Sequence, residues 1–123
     1  MLTIIFLVFA AICNAVMDKV SHHYFTSIFS KFNNPKFWDA GESWKNKYID
    51  GDFTKGRRKW LFGMNVPVQV TDAWHLFKTF MIIGICSSII VYDPGIHPLV
   101  DLLILGIVWN STFSLFYNKI FSK

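Results

Sequence analysis

The stretch Thr71–Tyr92, TDAWHLFKTFMIIGICSSIIVY, decides the fold: a polar opening, Thr71–Lys78, runs without a break into the most apolar run of the chain. From Ala73 to Tyr92 its twenty residues include one His and one Lys, both in the first two turns. About 20 apolar residues in a helix cross a ~30 Å hydrocarbon core, so 73–92 reads as a membrane span. Thr71 or Asp72 supplies the oxygen that a helix N-cap needs. Asp72 and His75 stand three apart, neighbours on one helix face.

Two further spans lie on either side. Asp93-Pro94-Gly95 is a tight turn, and His97-Pro98 opens an apolar run over 99–118, with Pro98 suited to a first helical turn. Toward the N-terminus, Leu2–Met17 is broken only by Thr3 and Asn14, which gives a first span over about 2–20. No Lys or Arg precedes it, unlike the start of a secretory signal peptide. Nothing breaks helical periodicity after Met17, so this helix is expected to continue to about Ser30. That places Asn14, Asp18, His22 and Thr26 on one polar stripe.

Composition agrees with a membrane setting. Of 123 residues 53% are hydrophobic and only 16% charged, more apolar surface than the core of so small a soluble domain can absorb. Nine of the twelve Lys and Arg fall between Lys19 and Lys59, while the turn after the second span has none. By the positive-inside rule the long middle segment and the C-terminus face the cytoplasm, and Met1 lies outside an inner (cytoplasmic) membrane. The basic pI near 9.2 is thereby read as orientation, and no nucleic-acid partner is expected. Cys13 and Cys86 both sit in apolar runs and imply neither a disulfide framework nor a Cys-based metal motif.

Between the first two spans, residues 31–71 are too many for a structureless connection. Asn33-Asn34-Pro35 ends the first helix, since Pro and the residue before it leave the α region. Beyond it, aromatic and basic side chains interleave: Trp38, Trp44, Lys45, Lys47, Tyr48, Arg57, Arg58, Lys59 and Trp60. Such side chains lie at a headgroup surface, body inward and polar tip outward, and the partner they imply is a bilayer with anionic headgroups. The expected fold is all-α: one polytopic membrane domain over 1–123, with three transmembrane helices and short interfacial helices between the first and second.

Chemistry has one main candidate. Asp18, His22 and His23 on the extended first helix, with Asp72 and His75 at the start of the second span, would gather three imidazoles and two carboxylates at one membrane surface. That donor set suits Zn or Fe with an open position for water, and hence hydrolysis of a lipid-like ester or phosphoester. The competing reading is a hydrogen-bonded structural cluster, because adjacent His22 and His23 point about 100° apart on a helix. Asp39/Glu42 and Asp50/Asp52 form carboxylate pairs that fit general acid–base work or, equally, solvated turns. Asp101 stands one turn inside the third span, where a carboxylate needs a partner or water. Gly84 and Ser88 form a small-xxx-small pair, which suits a homo-oligomer or a membrane complex.

The pattern Phe37-Trp38, Ser43-Trp44-Lys45-Asn46-Lys47-Tyr48, Gly51-Asp52 and Thr71-Asp72-Ala73-Trp74-His75-Leu76-Phe77-Lys78 resembles a set of small membrane proteins of Bacteroidetes-type bacteria and their phages with no established activity. The resemblance covers the middle forty-odd residues and implies a membrane location without a substrate. The leading expectation for function is a non-enzymatic structural or interaction protein with a polar His/Asp cluster at the cytoplasmic surface. The alternatives are the metal-dependent membrane hydrolase and a holin-like pore.

Overall fold

The computed structural model describes all 123 residues and is all-α, its regular elements being helices with no strands. Three helices are long and apolar enough to cross a membrane. The first, α1, runs over Leu2–His22. Two single-turn helices follow in the middle segment, α2 (Pro35–Trp38) and α3 (Ala40–Ser43). Then come α4 (Ala73–Ile90) and α5 (Pro98–Leu115), the latter extended by a wider π-type turn over Phe116–Ile120. The 21 residues of α1 and the 18 of α4 span roughly 31 and 27 Å at 1.5 Å per residue, matching a bilayer core.

The central helix is α1, with α4 and α5 packed against it. Small residues set the approach of α1 and α4. Ala10, Ala11 and Ala15 are buried on α1, and a Cβ added to Gly84 on α4 would lie 3.0 Å from the Ala10 Cβ and 3.1 Å from the Phe6 carbonyl oxygen. Gly84 is therefore used within the chain, against α1, and Ser88 one turn on is buried. By contrast α5 buries no residue and presents Leu99, Leu102, Leu103 and Ile107 outward, as a lipid-facing helix does.

The chain alternates between two ends of this bundle. At one end the Thr3 hydroxyl donates to the Val91 carbonyl at 3.1 Å, so the N-terminus lies beside the turn between α4 and α5. His97 caps α5, its Nδ1 accepting from the Leu99 amide at 3.2 Å. Asp101 then accepts from the Gly95 amide at 2.8 Å and the Tyr92 hydroxyl at 2.8 Å. This partly buried carboxylate holds the turn closed, which is why it is tolerated one turn inside a span.

At the other end the first helix is shorter than its periodicity implies. It stops at His22, and His23 leaves the helix at φ −136°, ψ 33°. The cause is long-range: the Ile28 amide donates to the Phe121 carbonyl at 3.1 Å and the Lys123 amide to the Thr26 carbonyl at 2.9 Å, so residues 26–28 pair with the C-terminal segment. The π-type turn, closed by Phe121 N–H to Phe116 C=O at 2.8 Å, brings Phe121 onto Phe29, whose ring centroid is 5.1 Å away. Trp38 stacks on Phe29 too, at 5.1 Å and 7° between planes. An aromatic cluster of Phe29, Trp38, Phe77 and Phe121 thus closes this end of the bundle.

Candidate functional site

Two features stand at the aromatic end. The first is a pocket of about 190 Å³ where α1, α3 and the start of α4 meet, lined by Ser21, Ser43, Trp44, Asp72, Trp74 and His75. Asp72 is the N-cap of α4: its Oδ1 accepts from the His75 amide at 2.9 Å. Its Oδ2 lies 2.7 Å from His75 Nδ1 and accepts from the Thr71 hydroxyl at 3.2 Å. Asp72 is buried while His75 is half-exposed. A carboxylate against Nδ1 selects, in a neutral imidazole, the tautomer protonated there, whose Nε2 carries the lone pair.

The five residues expected as metal ligands do not assemble. No three His, Cys, Asp or Glu side chains come together in a way that could hold a metal ion. Asp72 and His75 are paired, but α1 turns Ser21 to them and not Asp18, His22 or His23. His22, the last residue of α1, is exposed. His23 has left the helix and packs edge-on to Tyr117, ring centroids 5.9 Å apart. The buried Lys19 takes the same direction, donating to the Ser122 hydroxyl at 2.7 Å with its ammonium 4.3 Å from the Tyr117 ring centre. The early end of α1 is the reason: without the extension to Ser30, the polar stripe is cut after His22 and its basic side is taken by the C-terminal segment. Of the five residues expected as ligands, the structure brings together Asp72 and His75.

The second feature is a hairpin in the middle segment. The Arg58 amide donates to the Lys47 carbonyl at 2.9 Å, Ile49 to Gly56 at 3.1 Å and Val66 to Arg58 at 2.9 Å, tying three irregular strand-like pieces together. Its tip is Trp60-Leu61-Phe62-Gly63-Met64, closed by Met64 N–H to Leu61 C=O at 3.3 Å. Phe62 (φ 57°, ψ 28°) and Gly63 (φ 72°) are both left-handed, the arrangement of a type I′ turn, which favours Asn-Gly. A Phe in that conformation carries a steric cost of about 1 kcal/mol or more. Phe62 is nonetheless 96% exposed, beside Trp60 at 55%, Leu61 at 57% and Met64 at 58%.

The residues read as a membrane-contacting set divide accordingly. Trp38 is not at the surface; it is half-buried in the aromatic cluster, since Phe29 and Phe77 offer it a closed apolar wall. Trp44 forms the pocket rim and donates its indole N–H to the Gly41 carbonyl at 3.0 Å. Lys45 is paired with Glu42 at 2.8 Å, and Lys47 lies over the Tyr48 ring at 5.4 Å. Arg57 and Arg58 brace the hairpin through the Val66 and Asn46 carbonyls, and Lys59 through Asn65. Arg58, Lys59 and Trp60 remain exposed next to the apolar tip.

The carboxylate pairs are structural. Asp39 caps α3 through the Gly41 amide, and Asp50 pairs with Lys55 at 2.9 Å. Asp52 accepts from the Thr54 hydroxyl and amide, which hold its carboxyl below the usual carboxylate range. Asn46 ties the hairpin base to the pocket, its Nδ2 donating to the carbonyls of Lys36 and Thr71. Sequence reasoning passed over Ser43 and Asn46, because a lone Ser or Asn in a polar stretch carries no local mark of burial. Comparison with protein-family models, with curated proteins and with solved structures found no match to this chain.

Proposed function

We propose that this membrane protein is an interaction protein of the cytoplasmic membrane surface. Met1 and the turn at Asp93–His97 lie outside, and the middle segment and C-terminus face the cytoplasm. The hairpin tip at Trp60–Met64 enters the headgroup region while Arg58 and Lys59 meet anionic phosphates. The observation that supports this most is Phe62: a large apolar side chain, almost wholly exposed, in a left-handed turn that Asn or Gly occupies more cheaply. An apolar environment outside the chain, flanked by negative charge, accounts for both the residue and its basic neighbours.

Lipid retention tests the reading. The protein is purified from vesicles that mix zwitterionic and anionic lipid, and the lipid that stays bound is quantified. Wild type retains anionic lipid in excess of its share, and an Arg58→Gln/Lys59→Gln/Phe62→Asp variant loses that excess. Equal retention by the two proteins would end the proposal.

A further inference from the structure

The pocket at the start of α4 holds more than a helix cap. Asp72 fixes His75 through Nδ1 at 2.7 Å, so the imidazole is oriented as well as paired, and in its neutral form Nε2 is the acceptor. Ser43, at the end of α3, lines the same pocket. Its residue is only 4% exposed, yet its hydroxyl takes part in none of the hydrogen bonds within the chain. Lining one pocket, a hydroxyl with no partner in the chain and an imidazole held in place by a carboxylate supply the two groups that a nucleophile and its base require. Trp74, on the same wall, also commits its indole N–H to no partner in the chain, which leaves a donor for a developing negative charge.

We propose that Ser43, His75 and Asp72 form a serine-nucleophile site for esters of the kind found in lipids. Ser43 Oγ forms a bond to the ester carbonyl carbon as His75 Nε2 takes its proton. The carbon–oxygen bond to the alcohol then breaks, and His75 returns the proton to the leaving oxygen. Water repeats both steps on the acyl-Ser43 ester, releasing the carboxylic acid and the free hydroxyl. Asp72 is a positioning residue: it holds the His75 tautomer and stabilises the imidazolium that forms. The Ser43–His75 hydrogen bond is not formed in this structure, and bonds of this type close when the reactant is bound. The site depends on none of the hairpin residues, so it stands or falls apart from the surface reading above. It keeps the ester chemistry that a metal centre was expected to supply, with a hydroxyl in place of a metal-bound water.

An alkyl fluorophosphonate probe tests it on the full chain in detergent, read by peptide mass spectrometry. The expected result is an adduct on Ser43, formed as the Ser43 oxygen–phosphorus bond replaces phosphorus–fluorine and the proton passes to His75. Labelling disappears in Ser43→Ala, slows about a hundredfold or more in His75→Gln, slows in Asp72→Asn, and is unchanged in the distant Ser111→Ala. Ser43→Ala removes no hydrogen bond of the fold, so its thermal unfolding stays that of wild type and a folding defect cannot mimic the loss. No adduct on Ser43 in the folded wild type, or an undiminished rate in a folded His75→Gln, would overturn the proposal.

Discussion

Each end of the bundle begins a helix with a carboxylate, and the two are built differently. At the α4 start, Asp72 is buried, caps the helix, and binds both the ring and the amide of His75. At the α5 start, Asp101 reaches back to the Gly95 amide and the Tyr92 hydroxyl, next to a turn with no buried residue. The Asp72 end is roofed by Phe29, Trp38 and Phe121, and it carries the pocket and the hairpin. The Asp101 end has cavities of its own, about 180 and 370 Å³ beside Thr3 and Tyr92, but neither an aromatic roof nor a hairpin. The difference teaches that a turn and a carboxylate clamp suffice to connect two spans, so the aromatic roof and the hairpin at the Asp72 end are more than the connection requires.

Substitutions at the two ends should separate in size. Phe121→Ala takes one wall from the aromatic cluster, and we expect a loss of about 3 kcal/mol in reversible unfolding in detergent. Ile96→Ala, in the opposite turn where the side chain is 85% exposed, should change stability by no more than about 0.5 kcal/mol. Comparable losses would mean that the two ends are equally built. Asp72→Ala removes a cap and a buried partner of His75, and should cost about 2–3 kcal/mol in the same assay. Asp101→Ala should cost clearly less, since its partners are open to water; a larger loss than for Asp72→Ala would reverse the ranking.

The smallest effect concerns protons at the Asp101 end. The hydrogen bond to Asp101 pushes the Tyr92 phenol above the ordinary tyrosine value, aided by the charge of Asp93. A raised folded-state value means that this contact contributes stability below the ordinary tyrosine pKa and loses it as pH rises through the raised one. An absorbance titration of wild type against Tyr92→Phe isolates this phenol. Asp101→Asn should move its midpoint down toward the ordinary value, and an unmoved midpoint would break the assignment of cause.

Much of the fold was legible in the sequence because its causes are local. The spans read over 73–92 and 99–118 agree with Ala73–Ile90 and Pro98–Ile120, since apolar length and the Asp72 and Pro98 start signals lie within the segments themselves. The end of α1 was not legible. It is set by hydrogen bonds from residues 26–28 to Phe121 and Lys123, nearly a hundred positions away. The same holds for Trp38, whose aromatic and basic neighbours in sequence look interfacial, but whose neighbours in space are Phe29 and Phe77. Of the pocket, the Asp72–His75 pair was visible from its spacing. Ser43 was not, because its burial is set by packing of α3 against α1 and α4.

The contrast between the ends comes to one measurement. With Cys13 and Cys86 replaced by Ala, a single cysteine at position 62 or 96 carries a polarity-sensitive fluorophore, and each protein is reconstituted in zwitterionic vesicles and in vesicles containing anionic lipid. The account predicts that emission at position 62 shifts to the blue when anionic lipid is present and is quenched by brominated chains, while position 96 responds to neither change in headgroup charge. Water-like emission from position 62 in both kinds of vesicle would contradict it.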